Sequence, residues 1–229
     1  MSSRTVTPRP THALDPSARP PGARRLRLTP GEDIWVFAYG SLMWNPGFPH
    51  LEVRRAWLYG FHRRFCIYSH VYRGTPERPG LVLGLDRGGS CQGLAFRVPP
   101  GEAGAVMDYL YDRELVTDVY IPRWVRLATR DGEVRAASFV VDRSHHQYTG
   151  ELDLEATAAL IRQGFGVSGP GIDYLRNTVR HMEALGLASG YLGRVLRAVE
   201  RHERRERHER QRRERRKRRD TERRDTERG

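Results

Sequence analysis

The chain has 229 residues, a formal net charge of +12, 38% hydrophobic residues and only two cysteines. That length suits one domain of about 150–200 residues with extensions. No apolar run approaches the roughly 18–20 residues of a membrane span, so no membrane partner is expected.

The first residues contain Arg and Pro but no apolar core of a secretory signal. Cys66 and Cys91 lie in strand-like sequence with no second Cys or His at a useful spacing. They read as buried, inert thiols, not as a disulfide or metal pattern, which fits a reducing, cytoplasmic setting. The charge is uneven. Residues 201–229 hold 15 Arg/Lys against 8 Asp/Glu, residues 1–30 hold 6 against 1, and residues 31–200 hold 19 of each. The body is neutral, so the basic character belongs to the two ends.

Residues 1–30 are rich in Pro, Ser, Thr and Arg without a period, and are expected to form a flexible extension. Pro30-Gly31 marks the start of a domain over 31–200. Its opening stretch, Ile34 to Trp44, begins as an apolar and aromatic strand and breaks at Tyr39-Gly40-Ser41. A glycine directly after a buried strand can bend the main chain and turn N–H groups toward a ligand, and Ser41 adds a hydroxyl. A strand followed by an ordinary tight turn explains the same residues.

Two strands are predicted over Val53–Tyr59 and Arg64–Ser69, with Gly60-Phe61-His62 between them and His62 at a strand end. Two more are expected at Leu81–Leu85 and Cys91–Val98, joined by Asp86-Arg87-Gly88-Gly89 as a hairpin turn. Glu102 to Leu115 has helical spacing through Val106, Met107, Leu110 and Tyr111. Tyr120-Ile121-Pro122 ends that segment, and strands are expected over Trp124–Thr129 and Glu133–Val141 about the Asp131-Gly132 turn. From Glu151 the pattern turns helical, with stops at Gly164 and Gly186 and a last helix starting near Ser189. Strands first and helices last predict an α+β domain. Beyond Arg201 the apolar residues vanish, and residues 201–229 read as an Arg/Glu-rich helix or a disordered tail.

Among possible chemical groups Glu114 stands out, next to Leu110, Tyr111, Leu115 and Val116 at a helix end. A carboxylate in apolar company can be tuned for proton transfer near neutrality. A solvent-facing Arg113-Glu114 pair is the plainer reading. No phosphate-binding glycine loop and no G-x-S-x-G elbow is present. His145-His146 lacks acidic or thiol partners at metal spacing and reads as a polar turn. Tyr148 follows at a strand-to-loop position where its hydroxyl can reach a pocket or sit on a rim.

Several segments in this order resemble the ChaC family of γ-glutamylcyclotransferases, of the bacterial type. They are Val36 to Trp44, Gly60-Phe61-His62-Arg63-Arg64-Phe65-Cys66, Arg73-Gly74-Thr75 with Pro79-Gly80, Gly93 to Arg97, Tyr109 to Glu114, and Ser168 to Gly171 with Tyr174-Leu175. The likeness spans about residues 33–198. It implies a small mixed β-barrel-like sheet with flanking helices, and a lyase that converts glutathione to 5-oxoproline and Cys-Gly with no cofactor and no metal. It further implies that Val36, Phe37, Ala38, Tyr39, Gly40, Ser41 and Leu42 cradle the γ-glutamyl group, with Glu114 as general acid/base. One departure stands out. Family members usually carry a glycine between that Glu and the following Tyr, and here Thr117-Asp118-Val119 precede Tyr120. Two other readings remain open. One is a cyclotransferase for other γ-glutamyl compounds. The other, of a different class, is a nucleic-acid or acidic-surface binder working through the tail, where interleaved acids and the lack of aromatics argue against it.

Overall fold

The computed structural model describes residues 25–226, with side chains through residue 216. Five strands close into a barrel: β1 (Ile34–Ala38), β2 (Glu52–Ser69), β3 (Gly80–Val98), β4 (Tyr120–Thr129) and β5 (Gly132–Val141). Their order is β1-β3-β2-β4-β5. The seam closes where β5 runs parallel to β1, with Trp35 opposite Ala136 and Val36 opposite Ala137, and the other pairings are antiparallel. Phe37, Leu58, Leu85, Leu127 and Val140 pack together as one buried cluster.

Helices cover one side of this barrel. They are α1 (Pro100–Glu114), α2 (Leu154–Gln163), α3 (Gly171–Ala184) and α4 (Gly190–Thr226), with a two-residue ribbon of β6 (Phe165–Gly166) and β7 (Gly169–Pro170) between α2 and α3. Pro100 opens α1, where a missing N–H costs nothing. Val106, Met107, Leu110 and Tyr111 then form its buried stripe. The Asp153 carboxylate caps α2 by accepting from the Ala156 N–H at 2.7 Å. Leu110, Ile161, Leu175, Met182 and Leu192 join the strands in a second, larger apolar cluster. The chain is thus an α+β barrel with flanking helices.

The middle strands correct the sequence reading. Asp86-Arg87-Gly88-Gly89 is not a hairpin turn: β3 runs straight through it, and β2 likewise runs through Gly60-Phe61-His62 as one strand. Gly60 (φ 83°) faces Gly88 (φ 97°) and Gly89 (φ 65°) across the ladder, between the pairs Tyr59–Ser90 and Phe61–Arg87. Glycines on both strands at the same level let the pair bulge and curl together, and curvature of that kind is what a barrel needs. Pro122 also lies inside β4 rather than before it. It faces Phe139 of β5, while β2 pairs with β4 only at Leu127, Ala128 and Thr129, so no ladder bond to β2 is lost there.

Most of the 1–30 extension lies outside the described residues, but its last part is packed. The Leu26 N–H donates to the Tyr111 hydroxyl at 2.7 Å, Arg25 pairs with Asp108 at 2.8 Å, and Leu28 rests on the core. Beyond residue 200, α4 continues as helix to Thr226. Arg201 and His202 reach Glu155, Glu203 reaches Arg176, and Glu206 reaches Arg162, after which the described side chains are exposed.

Candidate active site

The site forms where the end of β1 meets the end of α1. After Ala38 the chain passes Tyr39 and enters a single 3-10 turn, Ser41–Met43. The first internal bond runs from the Met43 N–H to the Gly40 carbonyl at 2.9 Å, so the Ser41 and Leu42 N–H groups precede it without a partner in the turn. Gly40 has φ −129°, so the turn does not use its left-handed freedom. A Cβ there would meet only the Tyr174 hydroxyl of α3, at 3.8 Å, an ordinary van der Waals contact.

Arg113 joins this turn to α1. Its guanidinium donates to the Ser41 Oγ at 2.9 Å, to the Asn45 carbonyl at 2.9 Å and to the Tyr109 hydroxyl at 2.7 Å. Its Nε lies 3.4 Å from Glu114 Oε1. Glu114 and the Ser41 turn therefore face each other across one guanidinium. The Glu114 side chain is 19% exposed. Burial raises its carboxyl above the usual range, and the Arg113 charge opposes that rise without cancelling it.

Three tyrosines share this electrostatic neighbourhood. Burial pushes Tyr39 well up, with further push from the charge of Glu114 and from Tyr174. Tyr120 is raised the same way, by burial first and then by Tyr39 and Glu114, and it donates to the Leu83 carbonyl at 2.6 Å. Tyr174 is pushed up to about 12 by burial and then by Glu114. All three stay protonated at neutral pH and so keep a hydroxyl proton to donate. Below them Arg63 donates to the carbonyls of Tyr39 and Gln92, fixing the turn's entry from β2.

The family model described as ChaC-like protein matches residues 34–202. The chain belongs to the ChaC-like family. A ChaC-like relative from Escherichia coli (strain K12), named glutathione-specific gamma-glutamylcyclotransferase, is 34% identical over 181 residues, 78% of each chain. The relative of that name from Schizosaccharomyces pombe is 33% identical over 171 residues, covering 65% of this chain and 82% of its own. The human glutathione-specific gamma-glutamylcyclotransferase 1 is 30% identical over 158 residues, 67% of this chain and 71% of its own. A crystal structure titled as the yeast gamma-glutamyl cyclotransferase specific to glutathione superposes with TM-score 0.67 at 22% identity, covering 74% of this chain and 96% of that one. It shows the same fold.

Within this ChaC-like fold the sequence-selected residues divide. Glu114, Tyr39, Gly40 and Ser41 come together. Val36, Phe37, Ala38 and Leu42 are buried, and the first three are laddered to β3. Tyr148 goes elsewhere, its hydroxyl donating to Asp86 at 2.9 Å. Asp86 is fully buried and also meets Arg143 at 2.6 Å and Arg64 at 3.9 Å. His145 and His146 lie in a turn with their rings tilted against each other, centroids 4.3 Å apart. Both cysteines are free and buried.

Reading the residues one at a time missed Arg63, Tyr120 and Tyr174 as site members. Tyr174 stood inside one of the resembling segments. Arg63 stood inside another, but Arg54, Arg55 and Arg64 on the same strand gave no reason to single it out. The glycine absent before Tyr120 has a structural answer. Asp118 takes φ 55° and is the single non-glycine with positive φ among the described residues. Aspartate tolerates that conformation better than most side chains, so the loop can bend where glycine usually stands.

A groove of about 580 Å³ lies elsewhere, on the outside of β2 and β4, walled by Tyr59, Phe61, Trp124 and Arg126. It contains neither Glu114 nor any residue of the Ser41 turn.

Proposed function

We propose that this chain is a γ-glutamylcyclotransferase that releases 5-oxoproline and Cys-Gly from glutathione, with residues 31–200 as its catalytic unit. The observation that carries this reading is the pairing of Glu114 with the Ser41 turn across the Arg113 guanidinium. The names of the similar proteins supply the substrate.

The reaction needs no protein nucleophile, because the substrate attacks itself. Its α-amine adds to the γ-carbonyl carbon, a five-membered ring closes, and the C–N bond to cysteine breaks. The α-ammonium must lose one proton before it can attack and a second, to water, as the ring amide forms, and the leaving nitrogen must gain one to depart as an amine that then takes another from water. Glu114, its carboxyl raised by burial, takes the first proton and returns it to the leaving nitrogen. The oxyanion formed at the carbonyl needs fixed donors, and the N–H groups of Ser41 and Leu42 are placed for that role. Val36, Phe37 and Ala38 support the turn from within the sheet. Tyr39 and Tyr174 close the pocket around the glutamyl chain. Tyr148 stands outside this machinery, its hydroxyl held by Asp86. Among the described residues no group of three or more His, Cys, Asp or Glu side chains could hold a metal ion. None of the described helices is long and apolar enough to cross a membrane. Two free thiols suit the reducing cytosol, where we place the enzyme.

The test is 5-oxoproline formation from glutathione, compared with other γ-glutamyl peptides. Glu114→Gln is expected to lower kcat/KM by about 10²–10⁴-fold with an unchanged far-ultraviolet spectrum. Substantial Cys-Gly release by that variant overturns the role. Faster turnover of a simple γ-glutamyl dipeptide than of glutathione transfers the assignment to the wider substrate class.

A further inference from the structure

The contacts of Arg113 carry a consequence for Ser41. A guanidinium has donors only, so the Ser41 oxygen must accept the 2.9 Å bond between them. The serine proton is then left to point elsewhere, and no other partner for that hydroxyl exists among the described residues. The same guanidinium grips the turn again at the Asn45 carbonyl and braces on Tyr109. Its Nε edge faces Glu114. One planar group, 22% exposed as a side chain, therefore touches the turn twice and the carboxylate once.

We propose that Arg113 is a positioning residue that fixes the Ser41 turn against Glu114 and makes the Ser41 hydroxyl a donor toward the bound γ-glutamyl group. This rests on the function proposed above. The proton of Ser41 is aimed at an anionic or carbonyl oxygen of the substrate while Glu114 works on its nitrogens. The positive charge of Arg113 also restrains the rise that burial imposes on Glu114. Two separable properties follow. The planar fork sets geometry, and the charge sets the titration of Glu114.

The experiment measures kcat/KM against pH for 5-oxoproline release from glutathione, in the full-length chain and in Ser41→Ala, Arg113→Lys, their double variant and Arg113→Gln. Ser41→Ala and Arg113→Lys should each lose about 10–100-fold, mainly in kcat. The double variant should fall within about threefold of the worse single variant, because both remove the same alignment. Arg113→Gln should move the acidic limb to higher pH, and Arg113→Lys should leave it in place. Losses that multiply in the double variant overturn the proposal, as does an unmoved limb in a folded Arg113→Gln. If Arg113→Gln does not fold, the Lys and Ala variants decide alone. A wild-type chain that makes no 5-oxoproline from glutathione overturns the parent reading before any variant is compared.

Discussion

At the residue scale, Glu114 ties function to stability with a definite sign. Its carboxyl is raised in the folded chain by burial, so folding favours the protonated form. Its stabilising contribution is full below the ordinary glutamate pKa and is lost as pH rises through the raised value. Glu114→Gln keeps the neutral shape at every pH. Thermal melts should therefore show the variant gaining on the wild type as pH rises above the ordinary glutamate pKa. A difference that shrinks with rising pH contradicts a buried, raised carboxyl. Asp118 gives a second test. Its φ of 55° suits glycine, so Asp118→Gly should stay within about 1 kcal/mol of wild type by urea unfolding. Asp118→Val, branched at Cβ, should cost about 1–2 kcal/mol.

Element by element, the helices were readable because each signal was local. Gly164 closes α2 and Gly186, at φ 65°, follows α3 as the spacing requires. The long β2–β3 pair was not readable. Asp86-Arg87-Gly88-Gly89 carries the chemistry of a reversal, and only the facing Gly60 shows that the two strands bend together. A cross-strand partner 28 residues away from Gly88 leaves no local mark.

The bend also explains Asp86, which looked like a turn residue and is a buried hub for Arg143, Arg64 and Tyr148. Burial raises its carboxyl, but the bonds from Arg143 and Tyr148 outweigh that and hold it below the usual range. A lowered carboxyl stabilises above the ordinary aspartate pKa and fades as pH falls through the folded value. Asp86→Asn should cost about 3–5 kcal/mol near neutrality and less in acid, because the buried Arg64 loses its counter-charge. Equal destabilisation at both pH values would contradict an ionised hub.

Across the whole molecule, the site is built from ends that sequence separates widely. Tyr39 follows β1, and Arg63, Glu114, Tyr120 and Tyr174 arrive from β2, α1, β4 and α3. Glu114 and the Ser41 turn could be singled out because each carries its own chemistry. Tyr174 and Arg63 could not, because their roles come from closure of the barrel and the docking of α3. The tail divides in the same way. Its first turns hold the body through Glu155, Arg162 and Arg176. A truncation after Glu206 should therefore keep full activity, measured as 5-oxoproline release. A cut at residue 200 should lower the melting temperature.

From Arg207 to Thr226 the helix extends about 30 Å further. Arg210–Glu214 is the kind of rung that stiffens it, an exposed pair that salt weakens. The outer helix is thus the part of the molecule that ionic strength should affect most. In dilute buffer the protein should elute early from a sizing column, like a ball on a stick, and in molar salt it should elute later at the same mass.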